Sequence, residues 1–156
     1  MIRPRNPRRA VTHLVFAQSS GLDLPTLDAQ ARRLFAAAFE ALAATGPDLR
    51  FRLEAPTHLR GASFRLHPRP RSEADFERAK RAETRGRAAG MAALAARCAA
   101  VWEVHADPDA PAEALHTVCA VLASVALGPV LPPDDSTLYG VRGALARATA
   151  ERAAPS

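Results

Sequence analysis

The sequence predicts an α+β fold: a β-α-β-β-α-β sandwich matching the ferredoxin-like pattern, followed by two additional C-terminal helices. Three observations predict it. Four short β-rich runs each present a large apolar face, at residues 11–17, 49–53, 62–67 and 101–106. Helical periodicity fills the interval between the first and second runs and again between the third and fourth. Glycine, proline and aspartate punctuate nearly every junction.

In the run from Val11 to Ala17, Thr12, Leu14 and Phe16 share one face, and His13 and Val15 share the other. Asp23 is a good N-cap for a helix with Pro25 in its first turn. Leu24, Leu27, Ala31, Leu34, Phe35, Ala38 and Leu42 form an amphipathic stripe, which Gly46-Pro47 should end. Leu49, Phe51 and Leu53 alternate with Arg50 and Arg52, and Phe64 and Leu66 alternate with Ser63, Arg65 and His67. Residues 55–61 suffice for a hairpin connection, and Pro68 and Pro70 should terminate the second of these strands.

Ser72 caps a long helix expected over residues 73–100. Its first half carries Glu77–Arg81 and Glu83–Arg87 pairs, and its second half is nearly all alanine. Gly86 and Gly90 each weaken a helix by about 1 kcal/mol, which predicts a break or a close crossing there. Trp102 and Val104 oppose Glu103 and His105 in the fourth strand, so the predicted core sets Leu14 and Phe16 beside Trp102 and Val104. A helix over residues 112–127 has no charge after Glu113, and a short glycine-bearing helix near Leu138, Val141, Leu145 and Ala148 follows. The expected organisation is a basic extended arm at 1–10, one domain at 11–152 and a frayed tail at 153–156.

Composition excludes several functions. Thirty-six of the 156 residues are alanine, leaving 39 larger apolar residues, enough for one core. The 20 arginines and single lysine, Lys80, have the bias of a GC-rich bacterial genome. Lys80 is followed by Arg81, so a phosphate-binding G-x-x-x-x-G-K-[ST] loop is impossible. No G-x-G-x-x-G, H-E-x-x-H or C-x-x-C motif occurs, and Cys98 and Cys119 read as small buried hydrophobes of a reducing cytoplasm. The uncharged stretch 114–133 is cut by Gly128, Pro129, Pro132 and Pro133 well short of the roughly 20 residues a membrane helix needs. The expectation is a soluble cytoplasmic protein with no membrane role and no cofactor.

The net charge of +5 is localised: residues 1–22 carry Arg3, Arg5, Arg8 and Arg9 without an acid, and residues 49–71 carry six arginines against Glu54. On the predicted sheet, His13, Arg50, Arg52, Arg65, His67, Glu103 and His105 gather on the face away from the helices. Guanidiniums there suit phosphate or carboxylate, and the solvated alternative has Glu103 neutralising an arginine across strands. His105, Asp107, Asp109 and His116 superficially offer metal ligands, but Pro108 and the following helix start explain both aspartates as turn and cap residues, so no metal site is expected. No catalytic residue emerges: Ser19 and Ser136 lack a nucleophile-elbow motif.

The leading functional expectation is a non-enzymatic binding or adaptor protein that works through macromolecular contacts. The alternatives are nucleic-acid binding through the phosphate backbone, and a small enzyme of unassigned chemistry. The helix at 112–127, apolar all round, implies burial on all sides. A homodimer through Leu115, Val118, Leu122 and Val125 is expected to supply it, against a monomer in which this is the central core helix. The run G-P-V-L-P-P-D-D-S-T-L-Y-G-V-R-G at 128–143 is distinctive, a proline-rich loop entering a glycine-interrupted helix.

Overall fold

Two of the strand sequences, L-V-F-A at 14–17 and A-V-W at 100–102, are continuously apolar, and such a strand needs cover on both faces. The structure, a computed structural model describing residues 12–19, 21–55 and 61–153 and side chains as far as 149, satisfies that requirement. Among the described residues there are five helices and one six-stranded antiparallel sheet, so the fold is α+β. In chain order the elements are β1 (His13–Ala17), α1 (Leu24–Phe35), β2 (Ala38–Ala41), β3 (Leu49–Glu54), β4 (Ser63–Pro70) and α2 (Glu73–Gly86). There follow α3 (Met91–Ala96), β5 (Ala100–Ala106), α4 (Ala112–Ala126), β6 (Val130–Leu131) and α5 (Val141–Ala153). The strand order is β2-β3-β4-β5-β1-β6.

This is not the ferredoxin-like order. The first two long strands of that pattern run parallel about a third, whereas β1 and β3 run antiparallel with both β4 and β5 between them. The cause is the double-faced burial of β1. Val15 and Ala17 pack with Trp102, Val104, α1, α4 and α5, while Leu14 and Phe16 pack with Val101, Leu131, α2 and α3. The register pairs Val15 with Trp102 and His13 with Val104, so the expected grouping of Leu14 and Phe16 with Trp102 and Val104 is corrected by one residue. Helices therefore cover both faces at the β5-β1-β6 end, while α1 and α4 contribute to the single core under β2, β3 and β4.

Two element boundaries differ from expectation. The first helix stops at Phe35, well before Leu42: Ala36 adopts the left-handed conformation (φ 54°) and its N–H closes the helix end. Asp28 in the helix accepts the Phe39 N–H at 2.8 Å, and Phe39 stacks on Phe51 with ring centroids 4.1 Å apart, which commits residues 38–41 to the sheet edge. Pro68 lies inside β4, and the strand ends at Pro70 as expected. Pairing with β3 stops at Leu66, and the Arg71 N–H donates to Ala99, so the alternate proline nitrogens face the unpaired edge. The long helix is divided as its glycines predict, with Arg87 left-handed and Gly90 at φ 92° between α2 and α3.

The apolar helix α4 is enclosed by its own chain. Val118 and Leu122 are fully buried against β1, α1 and α5, whereas Leu115 and Val125 are partly exposed. Val118 and Leu122, expected at a homodimer contact, are thus covered within the chain itself, in one core cluster with Ala31, Ala144 and Ala148 of α1 and α5. Among the described residues no helix is long and apolar enough to cross a membrane.

Val118→Asp places an unpaired carboxylate in this core and should cost more than about 4 kcal/mol, read as loss of cooperative urea unfolding. Val125→Asp, at the partly exposed edge, should remain folded. A folded Val118→Asp protein of half the wild-type mass in sedimentation would restore the dimer reading.

Candidate functional site

The period of two along β3, β4 and β5 leaves one face of that half-sheet to polar residues. Cross-strand register places Glu40 beside Arg52, Arg52 beside Ser63, Arg50 beside Arg65, Arg65 beside His105, and His67 beside Glu103. Six of the seven sheet residues expected there, Arg50, Arg52, Arg65, His67, Glu103 and His105, share this ladder. His13 does not. It faces the other layer, with its ring 6.3 Å from that of His116 on α4. Arg3, Arg5, Arg8 and Arg9 lie outside the described residues.

Charge on the ladder is balanced rather than basic. Asp48, at the start of β3, takes Arg65 Nη1 at 3.0 Å and His67 Nδ1 at 2.6 Å. Arg69, carried past Pro68 by the continuation of β4, donates Nε to Glu103 at 2.6 Å and Nη1 and Nη2 to Asp75 at 2.7 and 3.1 Å. Asp75 belongs to the first turn of α2, where it also accepts the Ser72 N–H in a capping box. His105 Nε2 meets Glu103 at 2.9 Å, Arg52 meets Glu40 at 3.0 Å, and Arg50 donates to the Ala43 carbonyl at 2.8 Å. Glu103 does neutralise an arginine across strands, but the arginine is Arg69. Four guanidiniums, of Arg50, Arg52, Arg65 and Arg69, are matched in number by Glu40, Asp48, Asp75 and Glu103.

The electrostatics follow from this pairing. Burial alone would raise the carboxyls of Asp48, Asp75 and Glu103, yet hydrogen bonds from His67 and Arg65, from Arg69 and Ser72, and from Arg69 and His105 hold all three below the usual range. Hydrogen bonding to Asp75, reinforced by Glu103, raises Arg69 in spite of its partial burial. At the β3-β4-β5 end the ladder opens into a shallow basin of about 390 Å³ lined by Arg50, Ser63, Arg65, His105 and Asp107. Asp107 is a turn residue, its carbonyl taking the Ala110 N–H and its carboxylate the Ser63 hydroxyl at 3.4 Å. Among the described residues no group of three or more His, Cys, Asp or Glu side chains is placed to hold a metal ion.

Sequence reasoning missed Asp48, Arg69 and Asp75. Arg69 was hidden by the two prolines around it, and the partners of Asp48 and Asp75 lie on other elements. The capping position of Asp75, three residues after Ser72, was the available signal. No protein-family model, no curated protein and no solved structure matches this chain.

Because Asp75 and Glu103 ionise more readily in the folded protein than the roughly 3.9 and 4.3 of the unfolded chain, their stabilisation is complete above those values and is lost as acid protonates them. Asp75→Asn should cost about 2 kcal/mol at neutral pH, by denaturant titration, and the gap from wild type should narrow progressively as acid protonates Asp75. A gap independent of pH would show that the ion pairs are not its source.

Proposed function

We propose that the chain is a non-enzymatic binding protein that contacts another macromolecule, a protein surface bearing charges of both signs, through the polar ladder of β3, β4 and β5. The observation that carries this reading is the prior pairing of the ladder's charges. An exposed ion pair such as Arg52–Glu40 contributes only about 0–1 kcal/mol, so folding does not account for the accessible part of this charge array. Charges held at fixed positions do serve recognition, since they set register and reject mismatched partners at little cost in ordering. A polyanion gains less from this face, because Arg52, Arg65 and Arg69 already have carboxylate partners.

Arg50 is exposed and Arg52 partly so, and Arg50→Glu/Arg52→Glu reverses both without touching the Arg69 network. After nuclease treatment of a lysate, wild-type protein should retain a protein partner that the folded double variant binds at least about tenfold more weakly. Equal retention by both proteins, or retention by neither, overturns the reading. A partner lost on nuclease treatment, with log K falling by about 0.7–0.9 per phosphate contact against log salt, would assign the chain to nucleic acid instead.

A further inference from the structure

On the opposite side of the sheet, the distinctive run at 128–143 builds a second cavity, independent of the ladder. We infer that the cleft between the start of β1, α4 and the loop leading into α5 is a binding site for a small organic oxyanion. Its carboxylate or phosphate group would be received by Arg147, Ser136, Thr137, Tyr139, His13 and His116. The cleft has a volume of about 450 Å³, within the range of small-molecule sites. Its residues come from four separate segments of the chain, which distinguishes it from a local turn.

The loop is fixed from both sides. Toward α2, Asp135 accepts Arg78 at 2.7 Å and Arg81 at 3.6 Å, and Arg85 reaches the carbonyls of Asp134 and Asp135. Gly86 lets Thr137 press against the end of α2, where any Cβ would lie 2.2 Å from the Thr137 hydroxyl. Toward the sheet, Tyr139 exchanges both backbone hydrogen bonds with Val130. Gly143, a costly residue inside a helix, is explained by the same packing: a Cβ there would stand 2.9 Å from Tyr139 Cβ and 3.4 Å from Arg147 Nη1. The Arg147 guanidinium carbon lies over the Tyr139 ring, 3.8 Å from its centroid, and Nη1 donates to the Gly143 carbonyl. The donors are thus positioned before any ligand arrives, as a selective site requires.

The donor set names the ligand class. Arg147 is a permanent cation, and Ser136, Thr137 and Tyr139 supply hydroxyls. Burial, with the neighbouring Cys119, raises the Tyr139 phenol and keeps its proton in place, in spite of Arg147. The carboxylate in the lining, Asp134, is exposed and accepts the Ser136 N–H at 3.0 Å. Pro132, Pro133 and the tyrosine ring add apolar wall for the body of an organic molecule. Burial, then His116 and Arg147, push His13 down to about 4 against the opposing pull of Asp134, so it is neutral when the cleft is empty. An anion placed beside it favours protonation, so ligand uptake draws in a proton and strengthens as pH falls toward about 4.

Calorimetric titration with benzoate and with inorganic phosphate, benzyl alcohol serving as the neutral control, tests the site. At least one anion should bind saturably below about 10 mM, and more tightly on acidification from neutral pH. Benzoate alone identifies a carboxylate ligand, phosphate alone a phosphate, and both the shared oxyanion chemistry. Arg147→Gln should weaken binding at least about tenfold, and the exposed Ser136→Ala, which leaves the packing intact, should weaken it by a smaller factor. His13→Asn should remove the pH dependence. No binding of either anion overturns the proposal. So does binding that benzyl alcohol equals, or binding that both folded variants leave unchanged. The Arg50→Glu/Arg52→Glu protein should bind these anions as wild type does, which separates this site from the ladder.

Discussion

A helix with no polar side cannot rest on a surface, and the enclosure of α4 is the constraint from which the rest of the architecture follows. Nine of its fifteen residues are buried, including Thr117, whose hydroxyl is satisfied inside the helix by the Glu113 carbonyl. Closing the space around it takes α1 on one flank, α5 on the other and the Val15–Trp102 face of the sheet beneath. Those neighbours can approach because Ala31, Ala120, Ala144 and Ala148 stand at the contacts. The alanine excess therefore lets one chain enclose a helix despite having only 39 larger apolar residues.

The same enclosure makes β1 an interior strand. With one face committed to α4, its other face carries Leu14 and Phe16 and requires α2 and α3. Gly128 returns the chain from α4 along β1 at a distance where a Cβ would fall 1.9 Å from the Phe16 carbonyl oxygen. This brings β6 and the following loop alongside β1, and it carries Tyr139 and Arg147 to the place where His13 and His116 meet. The cleft is thus a consequence of how α4 is closed in, whereas the ladder occupies the half-sheet where the second helical layer does not extend.

The two polar regions are built on opposite electrostatic plans. On the ladder each buried or half-buried carboxylate is met by guanidinium or imidazole, and the pairing is spread over strands β3, β4 and β5 and the first turn of α2. In the cleft the charged side chains are Arg147 and the exposed Asp134, and burial pushes His13 down to about 4.

Local pattern determined much of this protein before any contact was known. Strict alternation marked β3 and β4 and put Arg50, Arg52, Arg65 and His67 on one side. Continuous apolarity marked α4, and two costly glycines marked the division between α2 and α3. These signals survive because they depend on the period of a single element. Alanine carried no such signal: at 36–38 it fits helix and strand alike, and only the edge of β3, through Phe39 on Phe51, decided for a strand. Strand order and facing were decided by tertiary structure, since a shift of one residue moves every side chain of β1 to the other layer. That shift took His13 off the ladder and set it beside His116. The ion partners of Asp48 and Asp75, and the meeting of Tyr139 with Arg147 over Gly143, are likewise products of packing, because charge balance and cavity shape depend on which elements become neighbours.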